Sequence, residues 1–182
     1  MQIKEKTRQE IEAKASGMSD FLKMEYLEAC IKNTNSIEAK KFCHSELARL
    51  YEAKNMFLEA ARNMSSMAEM AITFNDKMQA YIKETELWIK AARYDDADEA
   101  FRKALASGNT KEKEEMKSAI KELYKKQALA YEKANKKGSA LKIYEKLFSI
   151  SSDLEKEEIK NKLLYFYEKL GKIREYNMLK SK

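Results

Sequence analysis

Three times along this chain an aromatic residue is followed nine positions later by an alanine: Tyr51 and Ala60, Trp88 and Ala97, Tyr131 and Ala140. The surroundings recur too. A small residue stands three before each aromatic (Ala48, Thr85, Ala128), and His44, Tyr81 and Tyr124 stand seven before it. Four and seven after the alanine come Met64 and Met67, Phe101 and Ala104, Tyr144 and Leu147. Offsets of three, four and seven belong to helices. A small residue lets a neighbouring helix approach, and a bulky one a turn away fills the gap beside it. A block of this kind that repeats predicts helix pairs stacked in series.

Composition points the same way. Proline is absent and only four glycines occur in 182 residues, so little interrupts a helix. Ala, Glu, Lys, Leu and Met, the strong helix formers, dominate. The length suits a single domain with a core that needs no staples. Two cysteines, Cys30 and Cys43, are too few for a disulfide framework. The charged start lacks the apolar stretch of a secretory signal, and no run is long enough to span a membrane. The expectation is a cytoplasmic protein without membrane insertion.

Helix boundaries follow from the polar and glycine positions. A polar first helix is predicted from about Lys4 to Ser16, carrying Ile3 and Ile11, then a second after Gly17 with Ser19 or Asp20 as its cap. Asn35 with Glu38 has the spacing of a capping box, as do Asn109 with Glu112 and Ser152 with Glu155. Corners are expected at Lys54-Asn55, Ala92-Arg93, Gly138 and Gly171, with Asn75-Asp76 opening the helix that holds Trp88, and Ile72 placed on the helix before it. The result is about ten helices joined by short loops, an all-α solenoid of antiparallel pairs. One domain over 1–182 is expected, with an N-terminal pair in 1–35, repeats in 36–73, 75–107 and 110–150, and a closing pair in 153–182.

This pattern resembles the tetratricopeptide repeat, whose helix-turn-helix units carry Trp, Leu-Gly and Tyr on the first helix and Ala, Phe and Ala on the second. The stretch WIKAARYDDADEAFRKALA is the best match, including Tyr94 three before Ala97; Tyr167, Gly171 and Ile173 form a weaker terminal copy, and Leu22, Tyr26 and Ala29 a half copy near the start. The resemblance covers roughly Ser36 to Met178. Successive alanines lie 37 and 43 residues apart, longer than the family's period of about 34. No proline ends a repeat, and the longer helices are similar to those of soluble NSF attachment proteins. The resemblance implies a right-handed solenoid whose first helices line a groove that binds a peptide or helix of a partner.

One step round from the packing residues, the groove-facing candidates are Phe42, Ser45, Arg49, Ile82, Glu86, Ile89, Lys125, Leu129 and Tyr165. Chaperone-tail-binding members of the family hold a carboxylate with Lys, Asn and Arg at such places; Ser45 and Ile82 here argue against that clamp. Ile82 and Ile89 widen the apolar stripe of their helix and have two readings, a groove that meets an apolar segment or simple burial.

No catalytic, cofactor or metal site is expected. Cys30, Cys43 and His44 lack zinc-ligand spacing, and adjacent Cys43 and His44 diverge on a helix. Asp95, Asp96, Asp98 and Glu99 fall in a first helical turn, where negative charge suits the macrodipole. Met64, Met67 and Met70 read as core filling. The formal net charge of +6 is uneven: 17 Lys+Arg against 18 Asp+Glu up to Thr110, then 19 against 12. This supports a second reading, a nucleic-acid-binding repeat with Lys125, Lys126, Lys133, Lys136 and Lys137 on phosphates. Few arginines or exposed aromatics accompany those lysines. The first reading is a non-enzymatic protein-binding scaffold; partner identity, a homo-oligomeric state and occupation of the groove by a terminal helix are left open.

Overall fold

The computed structural model describes residues 3–181. Among these the protein is all-helical, with ten helices: α1 (Arg8–Ser16), α2 (Asp20–Asn33), α3 (Ile37–Ala53), α4 (Phe57–Glu69), α5 (Phe74–Lys90), α6 (Tyr94–Ser107), α7 (Thr110–Lys133), α8 (Lys137–Ile150), α9 (Asp153–Lys169) and α10 (Ile173–Lys180). The chain forms two compact units, Met1–Lys113 and Glu114–Lys182, with the boundary inside α7. In the first, α1 touches α2 and α3, and from α2 to α6 each helix packs on the next. In the second, α8 packs on α9 and α9 on α10.

The repeat is most visible at the corners. The carbonyl of Tyr51 accepts the N–H of Met56 at 2.9 Å, Trp88 that of Arg93 at 2.9 Å, Tyr131 that of Lys136 at 2.9 Å and Tyr167 that of Lys172 at 2.8 Å. Four residues after each aromatic the backbone turns left-handed, at Asn55 (φ 59°), Ala92 (φ 59°), Asn135 (φ 54°) and Gly171 (φ 68°). This is the closure of a helix C-terminus by a bond from five residues on. The terminal copy at Tyr167 makes the same corner as the other three. The third corner lies at Asn135 rather than Gly138, which belongs to the first turn of α8.

Helices that follow these corners start without a side-chain cap; the N–H of the residue just before each of them is the one that the corner binds. Of the other helices, α2 follows Ser19, but neither Ser19 nor Asp20 makes the expected side-chain cap bond; the rest are capped by polar side chains, with some shifts from the sequence reading. Thr7 and Glu10 form a capping box, so α1 starts at Arg8 and not Lys4. Ser36, not Asn35, caps α3 by accepting from the Ala39 N–H at 3.3 Å, because Thr34 is buried and its hydroxyl donates to the Lys6 carbonyl. Thr73, not Asn75-Asp76, caps α5 through the Asp76 N–H at 3.0 Å. The other two boxes form as spaced: Asn109 and Glu112 exchange bonds of 2.7 and 3.0 Å, and Glu155 accepts from the Ser152 N–H at 3.2 Å and hydroxyl at 2.9 Å.

Many of the repeated positions lie in the core, although His44, Met67, Phe101 and Tyr131 are only half-buried. Ala60, Ala97, Ala104, Ala128 and Ala140 are fully buried, as is Leu147, and Trp88, Tyr81, Tyr124 and Tyr144 are nearly so. Of the four left-handed corners, Ala92 alone holds a residue that neither lacks a Cβ nor has a side chain suited to that region. Ala92→Gly is expected to raise stability by about 1 kcal/mol, read as a higher midpoint in urea unfolding; an unchanged or lower midpoint would show that the corner carries no strain.

Candidate functional site

Consecutive first helices of the pairs meet through charged bridges. Glu52 on α3 takes Lys83 at 2.9 Å and Lys90 at 2.7 Å from α5. Glu86 on α5 holds the same two lysines, at 3.1 and 2.6 Å. Burial works against ionisation of Glu52, but Lys90 and Lys83 outweigh it and hold the carboxyl below its ordinary value. In the second unit Glu132 on α7 accepts the Tyr144 hydroxyl of α8 and pairs with Lys162 of α9 at 3.0 Å. Glu52 and Glu132 each follow a repeat aromatic, and Lys83 and Lys162 each stand five before the next one. In α5 the corresponding position is Ile89.

Two cavities adjoin these helices. In the first unit a cavity of about 590 Å³ is lined by Arg8, Ile37, Glu38, Lys41, Phe42, Ser45, Met67 and Ile72. Its floor is apolar. Its rim is charged but balanced, with Arg8 to Glu38 at 3.7 Å and Lys41 to Asp76 at 3.9 Å. The Arg8 guanidinium lies 5.5 Å above the Phe42 ring. Ile72 (88% exposed), in the α4–α5 loop, and Phe74 (75% exposed), the first residue of α5, add further exposed apolar surface. In the second unit a cavity of about 260 Å³ is lined by Lys125, Leu129, Tyr144, Leu147, Glu155, Glu158, Ile159 and Lys162.

Of the residues nominated from sequence, Phe42 and Ser45 come together in the first cavity, and Lys125 and Leu129 in the second. Arg49 is exposed and pairs with Glu46 at 2.9 Å on its own helix. Glu86 is tied up by the two lysines. Tyr165 is half-exposed and lies edge-on to Phe166 at 5.1 Å. Ile82 is half-buried. Ile89 is 1% exposed and therefore a packing residue, because it stands where the other repeats put their bridging glutamate, with no charge to keep in water.

Sequence reasoning missed Ile37, Met67 and Ile72 as a surface. Ile72 looked like part of α4, which instead ends at Glu69. A signal was available: Ile72 precedes the Thr73 cap, and the residue that would staple to it, four into α5, is Lys77, so the isoleucine has no local partner.

Cys30 and Cys43 are buried, and burial pushes the Cys43 thiol up to about 12, far from a reactive thiolate. His44 Nδ1 lies 2.8 Å from Asn63 Oδ1, joining α3 to α4. Among the described residues no three His, Cys, Asp or Glu side chains converge as a metal ion would need. The lysines of the second unit are partly countered: Lys121 and Lys125 both reach Glu155, at 2.8 and 3.7 Å. No helix of the described chain is long and apolar enough to cross a membrane.

No protein-family model matches the chain, and no curated protein matches it.

Ile89→Ala is expected to cost about 2 to 4 kcal/mol, the loss typical of a buried isoleucine, whereas Ile82→Ala costs less. Equal small effects in chemical unfolding would place Ile89 back on an open surface.

Proposed function

We propose that the protein is a tetratricopeptide-like interaction scaffold that holds a peptide or helix of another protein against the surface beside Phe42 and Ser45. One observation carries this reading: an apolar-floored cavity of about 590 Å³ in the first unit opens at Phe42 and Ser45, one step round from the repeat's packing positions. In such arrays the packing residues build the architecture, and the neighbouring face is free to bind. The exposed Ile72 and Phe74 add an apolar surface that an amphipathic segment fits. A scaffold of this kind needs no catalytic group, and a cytoplasmic setting keeps Cys30 and Cys43 as thiols. Lys125 and Leu129 beside the second cavity are a further contact region of the same character.

The test compares the wild type with an Ile72→Ser/Phe74→Ser variant. Both side chains are exposed, so the melting temperature should stay within about 2 °C. Proteins retained by the wild type from a cell extract, identified by mass spectrometry, should be lost from the variant. Labelled single-stranded RNA titrated at two salt concentrations addresses the competing assignment. Tight RNA binding with a steep salt dependence, unchanged in the variant, would overturn the scaffold reading in favour of a basic surface around Lys126, Lys133 and Lys136.

A further inference from the structure

Glu84 on α5 is the one charged residue buried among the described residues, at 4% exposure. Its Oε1 accepts the indole N–H of Trp88 at 3.0 Å, and its Oε2 is buried without a hydrogen-bond partner among the described residues. The repeat explains how a carboxylate came to be there. Tyr167, the aromatic at the Trp88 position in α9, sends its hydroxyl to Glu145 on α8 at 3.0 Å. The residue of α4 equivalent to Glu145 is Ser65. The acceptor for the aromatic head therefore comes from α5 itself, as Glu84, in the buried layer rather than at a half-exposed edge.

The groups around it do little to hold a negative charge. Ser65 on α4 stands beside the carboxyl without a bond of good geometry, and Glu69 of α4 adds like charge. Lys103 of α6 is the nearby cation, but it is paired with Glu99 at 3.0 Å and lies over the Tyr81 ring. Lys83 and Lys90 of α5 are taken by Glu52 of α3. An ionised carboxylate in such a place is costly, whereas a neutral acid needs only ordinary hydrogen bonds.

We propose that Glu84 is a proton-controlled latch: the packing of α4, α5 and α6 is built around its neutral carboxylic acid, and loss of that proton loosens this layer of the first unit. Burial raises the carboxyl above its ordinary 4.5, with Trp88 and Ser65 opposing the rise. The folded state then holds a proton that the unfolded chain has released. Stability contributed by this group is full below the ordinary value and declines as pH rises through the interval up to the folded value. Each pH unit of that interval is a tenfold factor in the folding equilibrium.

Trp88 is the only tryptophan and is bonded directly to the group, so its emission reads the titration. Wild type and Glu84→Gln, which imitates the neutral acid, are followed by tryptophan emission and thermal melting from pH 4 to pH 8. The wild type should show an emission transition centred above pH 4.5 that the variant lacks. The variant should melt higher than the wild type at pH 8, and the two should converge at pH 4. The same transition in both proteins, or melting curves offset equally at every pH, would overturn the proposal. If the variant fails to fold, the ¹³C shift of the Glu84 carboxyl in the wild type decides. A midpoint above the ordinary value supports the latch, and one at or below it removes the latch.

Discussion

The bond from each repeat aromatic's carbonyl to the N–H five residues on is what the rest of the architecture hangs from. It closes one helix, turns the chain left-handed for one residue and sends the next helix back alongside. At Tyr51, Trp88 and Tyr167 the residue whose carbonyl closes the corner also carries a ring that packs in the core, whereas Tyr131 is half-buried. Nine residues after it comes the alanine at which the returning helix crosses closely, buried completely at Ala60, Ala97 and Ala140. Corner geometry is invariant while the distance between repeats is not. The alanine-to-alanine spacing grows from 37 to 43, and the extra residues go into the 24-residue α7 rather than into any turn. A helix can lengthen without disturbing a corner; a corner cannot lengthen without losing its bond.

Pairs hold together by apolar packing, but successive first helices are joined by charge. An exposed ion pair contributes little to stability. Glu52 differs in being half-buried and shared by two lysines that Glu86 also holds, so that four side chains fix α3 against α5. Glu132 performs the equivalent task for α7 and α9, with the Tyr144 hydroxyl as a second donor. In α5 the position of that glutamate is held by Ile89, which is buried. The helix with the broadest apolar stripe is thus the helix most enclosed.

That trade explains what could be read from sequence. Small and aromatic residues at fixed offsets reveal the repeat because close packing admits few alternatives at Ala60, Ala97 or Trp88. Caps were legible to within a residue or two, since Asn35 and Ser36 both have a suitable side chain and only the burial of Thr34 decides between them. Ile82 and Ile89 had the same spacing under either reading, and only burial separates them, Ile89 being enclosed and Ile82 half-buried. Charge pattern alone does not set Glu84 apart from Glu86 on the same helix. The position of Glu84 three after Tyr81 and four before Trp88 nevertheless put it on the packing face.

The face one step round from the packing residues is therefore not uniform. Along α5 it is closed, with Glu86 held by two lysines and Ile89 buried. Along α3 it is open at Phe42 and Ser45, where the first turns of the helix and the exposed Ile72 leave a recess rimmed only by the long pairs Arg8–Glu38 and Lys41–Asp76. Arg49, further along the same helix, is turned to Glu46. A ligand of the first unit would therefore find its apolar anchor near the start of α3. Specificity would then come from the balanced rim of Arg8, Glu38, Lys41 and Asp76, whose weak pairs a better-matched partner can exchange at little cost.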